Sequence, residues 1–132
     1  MRYKSLTACC AVAAFAGVAI SGAAVHAEPS ILTGDAIKAT ISGRTVNMHT
    51  PVGTIPVVYR ANGTMIGIAK DMSLYTGQER DKGTWWISGD KLCQRWQAWL
   101  DGRQHCVSIK MTGQTFHWVS SDGRKGSATI SH

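Results

Sequence analysis

Cys93, Cys106 and the histidines closest to them are the side chains of this sequence most suited to chemistry. A Cys–His pair could act as a nucleophile, and the two cysteines with His105 and His117 could bind zinc. Zinc sites usually take their cysteines from a tight C-x-x-C turn, however, and this spacing does not provide one. A disulfide would also remove the thiolate that a nucleophile needs. The pattern therefore favours a structural disulfide over a metal site or a catalytic cysteine.

The N-terminus has the three parts of a secretory signal peptide. Arg2 and Lys4 form a short positive region, Ala8 to Ile20 is entirely apolar, and Val25-His26-Ala27 has small residues at the −3 and −1 positions. The apolar stretch is too short to span a membrane, which takes about 20 residues. We therefore predict a signal peptide over residues 1–27 and a periplasmic or secreted mature chain over residues 28–132, without a membrane span.

Export settles which cysteines can pair. Cleavage before Glu28 removes Cys9 and Cys10, so Cys93 and Cys106 are the cysteines of the mature chain. Two cysteines in an oxidising compartment favour one disulfide, and closing a loop of about 14 residues stabilises a fold by roughly 3 kcal/mol. We predict a Cys93–Cys106 disulfide and no metal site.

The charge of the mature chain limits its partners. Loss of Arg2 and Lys4 leaves twelve basic residues against eight acidic ones, a balance that suits anionic partners. No run of Lys and Arg is longer than two residues, and an exported protein rarely meets nucleic acid. We expect a monomer that binds an anionic ligand of the cell envelope or a protein partner, and no nucleic acid.

The acidic residues give no support to catalysis. Asp35, Asp90, Asp101 and Asp122 each adjoin a glycine, where aspartate typically bonds to its own backbone in a turn. No carboxylate is expected in mid-strand opposite a partner, as a general acid–base pair would require. The motifs G-x-S-x-G, H-E-x-x-H, G-x-G-x-x-G and the P-loop are absent. We therefore expect no enzymatic activity and no cofactor. The histidines stand singly, at His49, His105, His117 and His132.

The mature chain predicts one short helix followed by strands. Over Ser30 to Gly43, Thr33 can cap a helix, and Ile37 and Ile41 form an apolar stripe. Short strands separated by turn residues then suggest a mainly β fold, a small calycin-like up-and-down antiparallel β-barrel of about eight strands in a single domain. The predicted strands are Arg44–Met48, Thr54–Arg60, Met65–Ala69, Thr84–Ser88, Leu92–Gln97, Gln104–Met111, Thr115–Ser120 and Ser127–Ser131.

Two hairpins and one pair of tryptophans can be placed more closely. Asn62-Gly63 and Asp122-Gly123 predict type I′ turns. Trp85 and Trp86 must point to opposite faces of their strand. The five tryptophans, which could form a stacking platform for sugars, are interpreted mainly as core residues, because buried aromatic rings dominate the packing of small domains. They are Trp85, Trp86, Trp96, Trp99 and Trp118.

The Asp101-Gly102 turn and the Cys93–Cys106 disulfide predict different registers for the strands on either side of the loop. A two-residue turn at Asp101-Gly102 would leave the sulfurs about 13 Å apart along the strands, whereas a disulfide needs Cα atoms within about 7 Å. Covalent geometry is the stricter constraint, so we predict Cys93 opposite Cys106 and Trp96 opposite Arg103, with residues 97–102 as the loop.

This register gives Trp99 one of two positions. It could lie with Leu100 at an exposed tip, where tryptophan is a favoured anchor for a partner, or fold back as a lid over the barrel mouth. We adopt the hypothesis that Trp99 serves recognition, in which case Trp99→Ala would leave the melting temperature nearly unchanged.

The stretch from Gly83 to Trp96, with its pattern G-x-W-x-I-x-G-D-x-L-C and the later Cys106, resembles a family of small exported bacterial proteins characterised only as a domain of unknown function. Leu32-Thr33-Gly34 and the hairpin from Tyr59 to Gly67 are similar too, so the likeness covers most of the mature chain. The resemblance implies a secreted or periplasmic β-barrel and supplies no catalytic residues.

Two classes of function follow. The first is a binding or envelope-accessory barrel with an opening lined by tryptophan and basic residues. The second is an inhibitor of lysozyme-type enzymes, with the segment 120–126 as its insertion loop, although Asp122-Gly123 also makes that loop an ordinary hairpin. The candidate binding residues are Trp96, Trp99, Arg103 and Arg124.

N-terminal sequencing of the protein from a cell-envelope fraction tests the export prediction. We expect the chain to begin at Glu28, because the small residues at positions −3 and −1 fit the peptidase. An intact Met1 or an acylated Cys9 would contradict the prediction.

Overall fold

The computed structural model describes residues 14–18, 29–51, 53–70 and 77–131. The predicted signal peptide and its cleavage point lie outside the described residues, apart from residues 14–18, and so does His132.

Eight antiparallel strands form a closed barrel in which each strand pairs with its neighbours in sequence and β1 pairs with β8. The predicted up-and-down barrel is confirmed. Closure also removes free sheet edges, which would otherwise invite aggregation. The strands are β1 (Arg44–Thr50), β2 (Gly53–Tyr59), β3 (Thr64–Ile68), β4 (Arg80–Ser88), β5 (Lys91–Trp96), β6 (Gln104–Thr112), β7 (Thr115–Ser120) and β8 (Lys125–Ser131).

A helix, α1 (Gly34–Ile41), packs against one end of the barrel, which we call the helix end. Its N-cap is Thr33, as predicted, whose side chain accepts a hydrogen bond from Ala36 N. Ile37 and Ile41 are fully buried in the core. This packing stabilises the helix, since a helix of two turns does not persist on its own. Within the described residues, no helix is long and apolar enough to cross a membrane.

Asp90 joins the helix to the barrel. Its Oδ1 accepts a hydrogen bond from Gly34 N at 2.9 Å, a contact between residues 56 positions apart. Asp90 was expected to bond to the backbone of its own turn, and its carboxylate bonds to the start of the helix. The first N–H groups of a helix have no partner within the helix, and the helix dipole favours a carboxylate beside them.

The two glycine hairpins differ from the predicted type I′ turns. Gly63 and Gly123 have φ angles of 88° and 87°, whereas Asn62 and Asp122 are not in the left-handed region. Gly63 N donates to Arg60 O, and Gly123 N donates to Ser120 O. Each loop is thus a three-residue connection, in which an ordinary turn is followed by a left-handed glycine.

The disulfide joins directly opposite residues of β5 and β6. Cys93 pairs with Cys106 at a Cα–Cα distance of 4.0 Å, so the predicted bond and register are confirmed. The ladder ends at Arg95 opposite Gln104, and the predicted pairing of Trp96 with Arg103 is not formed.

Replacing either cysteine tests the energetic role of this bond. Cys93→Ser should lower the free energy of unfolding by about 2–5 kcal/mol, because the unfolded chain regains loop entropy. Urea denaturation measures the change. Cys106→Ser should have a similar effect, and the double variant should lose little more than either single variant. Two free thiols in the native, non-reduced protein would contradict the prediction.

Candidate functional site

A cavity of about 550 Å³ occupies the barrel interior, from Ile41 of α1 towards the other end of the barrel, which we call the mouth. It lies between β1, β2 and β5–β8, and inward-facing residues of these strands form most of its wall. We call it the lumen. Its apolar wall includes Val46, Met48, Ile55, Val57, Leu92, Val107, Ile109, Phe116, Trp118 and Ala128.

Bulky side chains fill the remaining side of the barrel, across β3–β5. Trp85, Trp96 and Met65 are each at most 5% exposed. Trp96 packs against Trp99 with ring centroids 4.7 Å apart. Gly67 makes this possible, because a Cβ there would lie 2.3 Å from Trp99 Cζ3. The barrel is thus packed on one side and hollow on the other.

Trp99 is a core residue, which corrects the placement of its ring at an exposed tip. It is 5% exposed, and its Nε1 donates to Gln78 O at 3.1 Å. Leu100, its neighbour, is 52% exposed and does lie at the tip. The ring turns inward because a large apolar surface gains more from burial beside Trp96 than from solvent.

Asp81 fixes this arrangement. Its Oδ2 accepts hydrogen bonds from Ala98 N and Trp99 N, both at 2.8 Å, and its Oδ1 accepts from Lys82 N. The carboxylate is 5% exposed and lies within β4. The carboxylate therefore bonds to backbone N–H groups near the start of β4, and no second titratable side chain is its partner among the described residues.

Away from the mouth, the polar side chains that line the lumen are Tyr59, Gln94, His105 and Trp118. Tyr59 donates to Gln94 Oε1 at 2.8 Å. Burial raises the pKa of Tyr59 above its ordinary value, so the hydroxyl stays protonated and remains a donor. His105 Nε2 and Trp118 Nε1, by contrast, are buried without a hydrogen-bond partner among the described residues.

The unpartnered indole is unusual within this molecule. Trp85 Nε1 donates to Arg60 O at 2.8 Å and Trp99 Nε1 to Gln78 O, as buried indoles normally do. The ring of Trp118 lies over Gly126, whose absent side chain leaves it room: a Cβ there would be 2.6 Å from Trp118 Cζ2. The sheet therefore accommodates the ring without providing an acceptor for its N–H.

The mouth carries the polar and charged lining. Arg124 pairs with Asp122 at 3.2 Å, and Ser120 donates a hydrogen bond to the same carboxylate. The Ser120 hydroxyl and the Arg124 backbone N–H hold the pKa of Asp122 below its ordinary value. Arg124 and Ser120 line the lumen, as do Leu100 and Asp101 of the β5–β6 loop.

The structure brings three of the four candidate binding residues to one cavity. Trp96, Trp99 and Arg124 line the lumen, whereas Arg103 is exposed outside it. His105 and Trp118 were not among the candidates. The alternation of His105 with Val107 and Ile109 does predict an inward-facing imidazole on β6, and the structure has it, but the alternation alone does not mark the imidazole as a binding group.

In the part of the chain that the structure describes, no three His, Cys, Asp or Glu side chains form a group that could hold a metal ion. Cys93 and Cys106 are joined to each other, which leaves neither as a thiolate beside His105.

Comparison of the chain with models of known protein families found no match, and comparisons with curated proteins and with solved structures also found none. The resemblance of the stretch from Gly83 to Trp96 to a family of small exported proteins therefore stays a prediction.

Truncation of Trp99 distinguishes a core role from a recognition role. Trp99→Ala should lower the free energy of unfolding by about 3–5 kcal/mol, because it leaves a cavity beside Trp96. Leu100→Ala, at the adjacent exposed position, should change it by no more than about 0.5 kcal/mol. Urea denaturation of both variants gives the comparison. An unchanged stability in Trp99→Ala would contradict the packing seen here.

Proposed function

We propose that this protein is an extracytoplasmic binding protein that takes a small, largely apolar ligand with a hydrogen-bond acceptor into the barrel lumen. The observation that carries the proposal is the lumen itself, an apolar cavity of about 550 Å³ whose walls contain the unpartnered Trp118 N–H.

The size of the lumen fits this function. Eight-stranded barrels are either filled by their own side chains or hold one small ligand, and ligand pockets typically measure about 300–1,000 Å³. Tight packing is the rule in protein interiors, so an unfilled volume of this size favours a ligand over a purely structural barrel.

The polar atoms of the lumen select the chemistry of the ligand. A buried donor without a partner costs about 1–3 kcal/mol, and a ligand acceptor that reaches Trp118 Nε1 would recover that cost. The indole N–H can only donate, so the ligand must offer an acceptor such as a carbonyl, ether or carboxylate oxygen.

Inhibition of lysozyme-type enzymes is less favoured as the function. That role would use Arg124 as a cation inserted into an active site, yet its guanidinium already pairs with Asp122 inside the same hairpin. An extracytoplasmic location remains part of the proposal, supported by the disulfide and by the predicted signal peptide.

Filling the lumen tests its role in binding. Benzophenone serves as the probe, because it combines an apolar body with one carbonyl acceptor. Ile55→Trp should weaken its affinity by about tenfold or more, since the added indole occupies the cavity near the mouth. Thr54→Trp is the matched control, because the adjacent residue points to the outer face and should leave the affinity unchanged.

The hydrocarbon diphenylmethane separates the hydrogen bond from apolar contact. Benzophenone should bind about tenfold more tightly than diphenylmethane, and Trp118→Phe should remove that difference without destabilising the protein. The Trp118 indole N–H resonance in ¹H–¹⁵N NMR spectra should shift with benzophenone. Absence of saturable binding of both probes, or equal weakening in Ile55→Trp and Thr54→Trp, would contradict the proposal.

A further inference from the structure

A second concave region lies on the outside of the barrel, across β3, β4 and β5. This region, which we call the outer groove, has a volume of about 790 Å³ and is separated from the lumen by the sheet. Its wall consists mainly of outward-facing polar and basic residues of these strands and their loops. They include Arg60, Asn62, Thr64, Ile66, Arg80, Lys82, Thr84, Arg95 and Gln97.

The outer groove is basic and contains no carboxylate among its described lining residues. Arg60, Arg80, Lys82 and Arg95 are all exposed, and none forms an ion pair within the described residues. Asp81, which lies between two of these cations in the sequence, faces the interior. Among the residues that the structure describes, no neighbouring side chain therefore neutralises the positive charge of the groove.

Strand geometry arranges the cations in a row. Arg80 and Lys82 lie on the same face of β4, about 7 Å apart along the strand. Thr84 continues this row and lies directly opposite Arg95 of β5. Arg95 Nε donates to Gly102 O at 2.9 Å, which orients the guanidinium while leaving its terminal nitrogens free of any partner among the described residues. The three cations therefore lie along one stretch of the outer face, which suits a linear chain that carries several anions.

We propose that the outer groove binds a linear acidic polysaccharide whose carboxylates pair with Arg80, Lys82 and Arg95. Arginine forks suit carboxylates, because they can donate two parallel hydrogen bonds. Neutral donors and acceptors line the groove beside the cations, at Thr64, Thr84 and Gln97, and can bond to sugar hydroxyls.

Other polyanions fit the groove less well. Single-stranded nucleic acid needs aromatic platforms for its bases, but Trp96, the aromatic residue in the wall of the groove, is 5% exposed. Trp86 lies beyond the groove, opposite Cys93. A membrane surface would need apolar anchors beside the cations, and Ile66 is half-buried between Val58 and Lys82.

The test uses oligogalacturonate chains and the triple variant Arg80→Gln/Lys82→Gln/Arg95→Gln. Its affinity should fall by about tenfold or more relative to the unaltered protein, because charge-assisted hydrogen bonds are lost. The matched control, Lys38→Gln/Lys110→Gln/Lys125→Gln, removes the same charge from exposed positions outside the groove. The control should change the affinity by less than about threefold, since it alters only screened long-range attraction.

The outcomes distinguish this proposal from the lumen proposal. Both triple variants should keep the benzophenone affinity and nearly the melting temperature of the unaltered protein, because they alter exposed side chains and the one hydrogen bond lost, from Arg95 Nε to Gly102 O, lies at the surface. Equal losses in both triple variants would show a non-specific charge effect and overturn the proposal. Tighter binding of single-stranded DNA or of anionic phospholipid vesicles than of oligogalacturonate would also overturn it.

Discussion

The direct pairing of Cys93 with Cys106 is the constraint on which the interior of the barrel depends. Side chains alternate across a strand, so once the two sulfurs meet on the outer face, the residues beside them must face inward. Gln94 and His105 are paired with each other and line the lumen for this reason. A slip of one residue would turn the lining of β5 and β6 outward, and the disulfide prevents it.

The loop between the cysteines contains the turn predicted at Asp101-Gly102 and also allows the disulfide, although the two appeared to require different strand registers. Asp101 and Gly102 do form a turn with positive φ angles of 58° and 62°, closed by a hydrogen bond from Arg103 N to Leu100 O. The turn does not set the strand register, because the extra residues 97–99 lie between it and β5. The backbone N–H groups of these residues need hydrogen-bond acceptors, and Asp81 Oδ2 accepts hydrogen bonds from Ala98 N and Trp99 N. Backbone bonding and the burial of one indole therefore hold the loop together.

The spacing of residues within short segments predicted the helix and strands of this fold. It failed for side chains whose position depends on residues distant in the sequence. The strands, the Thr33 cap and the opposite faces of Trp85 and Trp86 follow from spacing within a few residues. Trp86 does lie outside, opposite Cys93, whereas Trp85 is buried. The inward turn of Trp99, by contrast, requires Gly67, which lies on another strand. The lumen also could not be predicted, because an unfilled volume results from all eight strands together.

The segment Arg80-Asp81-Lys82 shows how one strand can build two chemically different surfaces. In the sequence the acidic residue stands directly between the two basic ones, and the segment was predicted to precede the strand. Within β4, alternation separates them: Asp81 points inward to the loop backbone, while Arg80 and Lys82 point into the outer groove. A buried carboxylate bound to backbone N–H groups stays in place, because solvent would have to replace charge-assisted hydrogen bonds. The same side chain therefore keeps Trp99 packed in the interior and, because it points away from the outer groove, does not pair with the cations there. The interior packing and the outer charge of this barrel thus have a common origin.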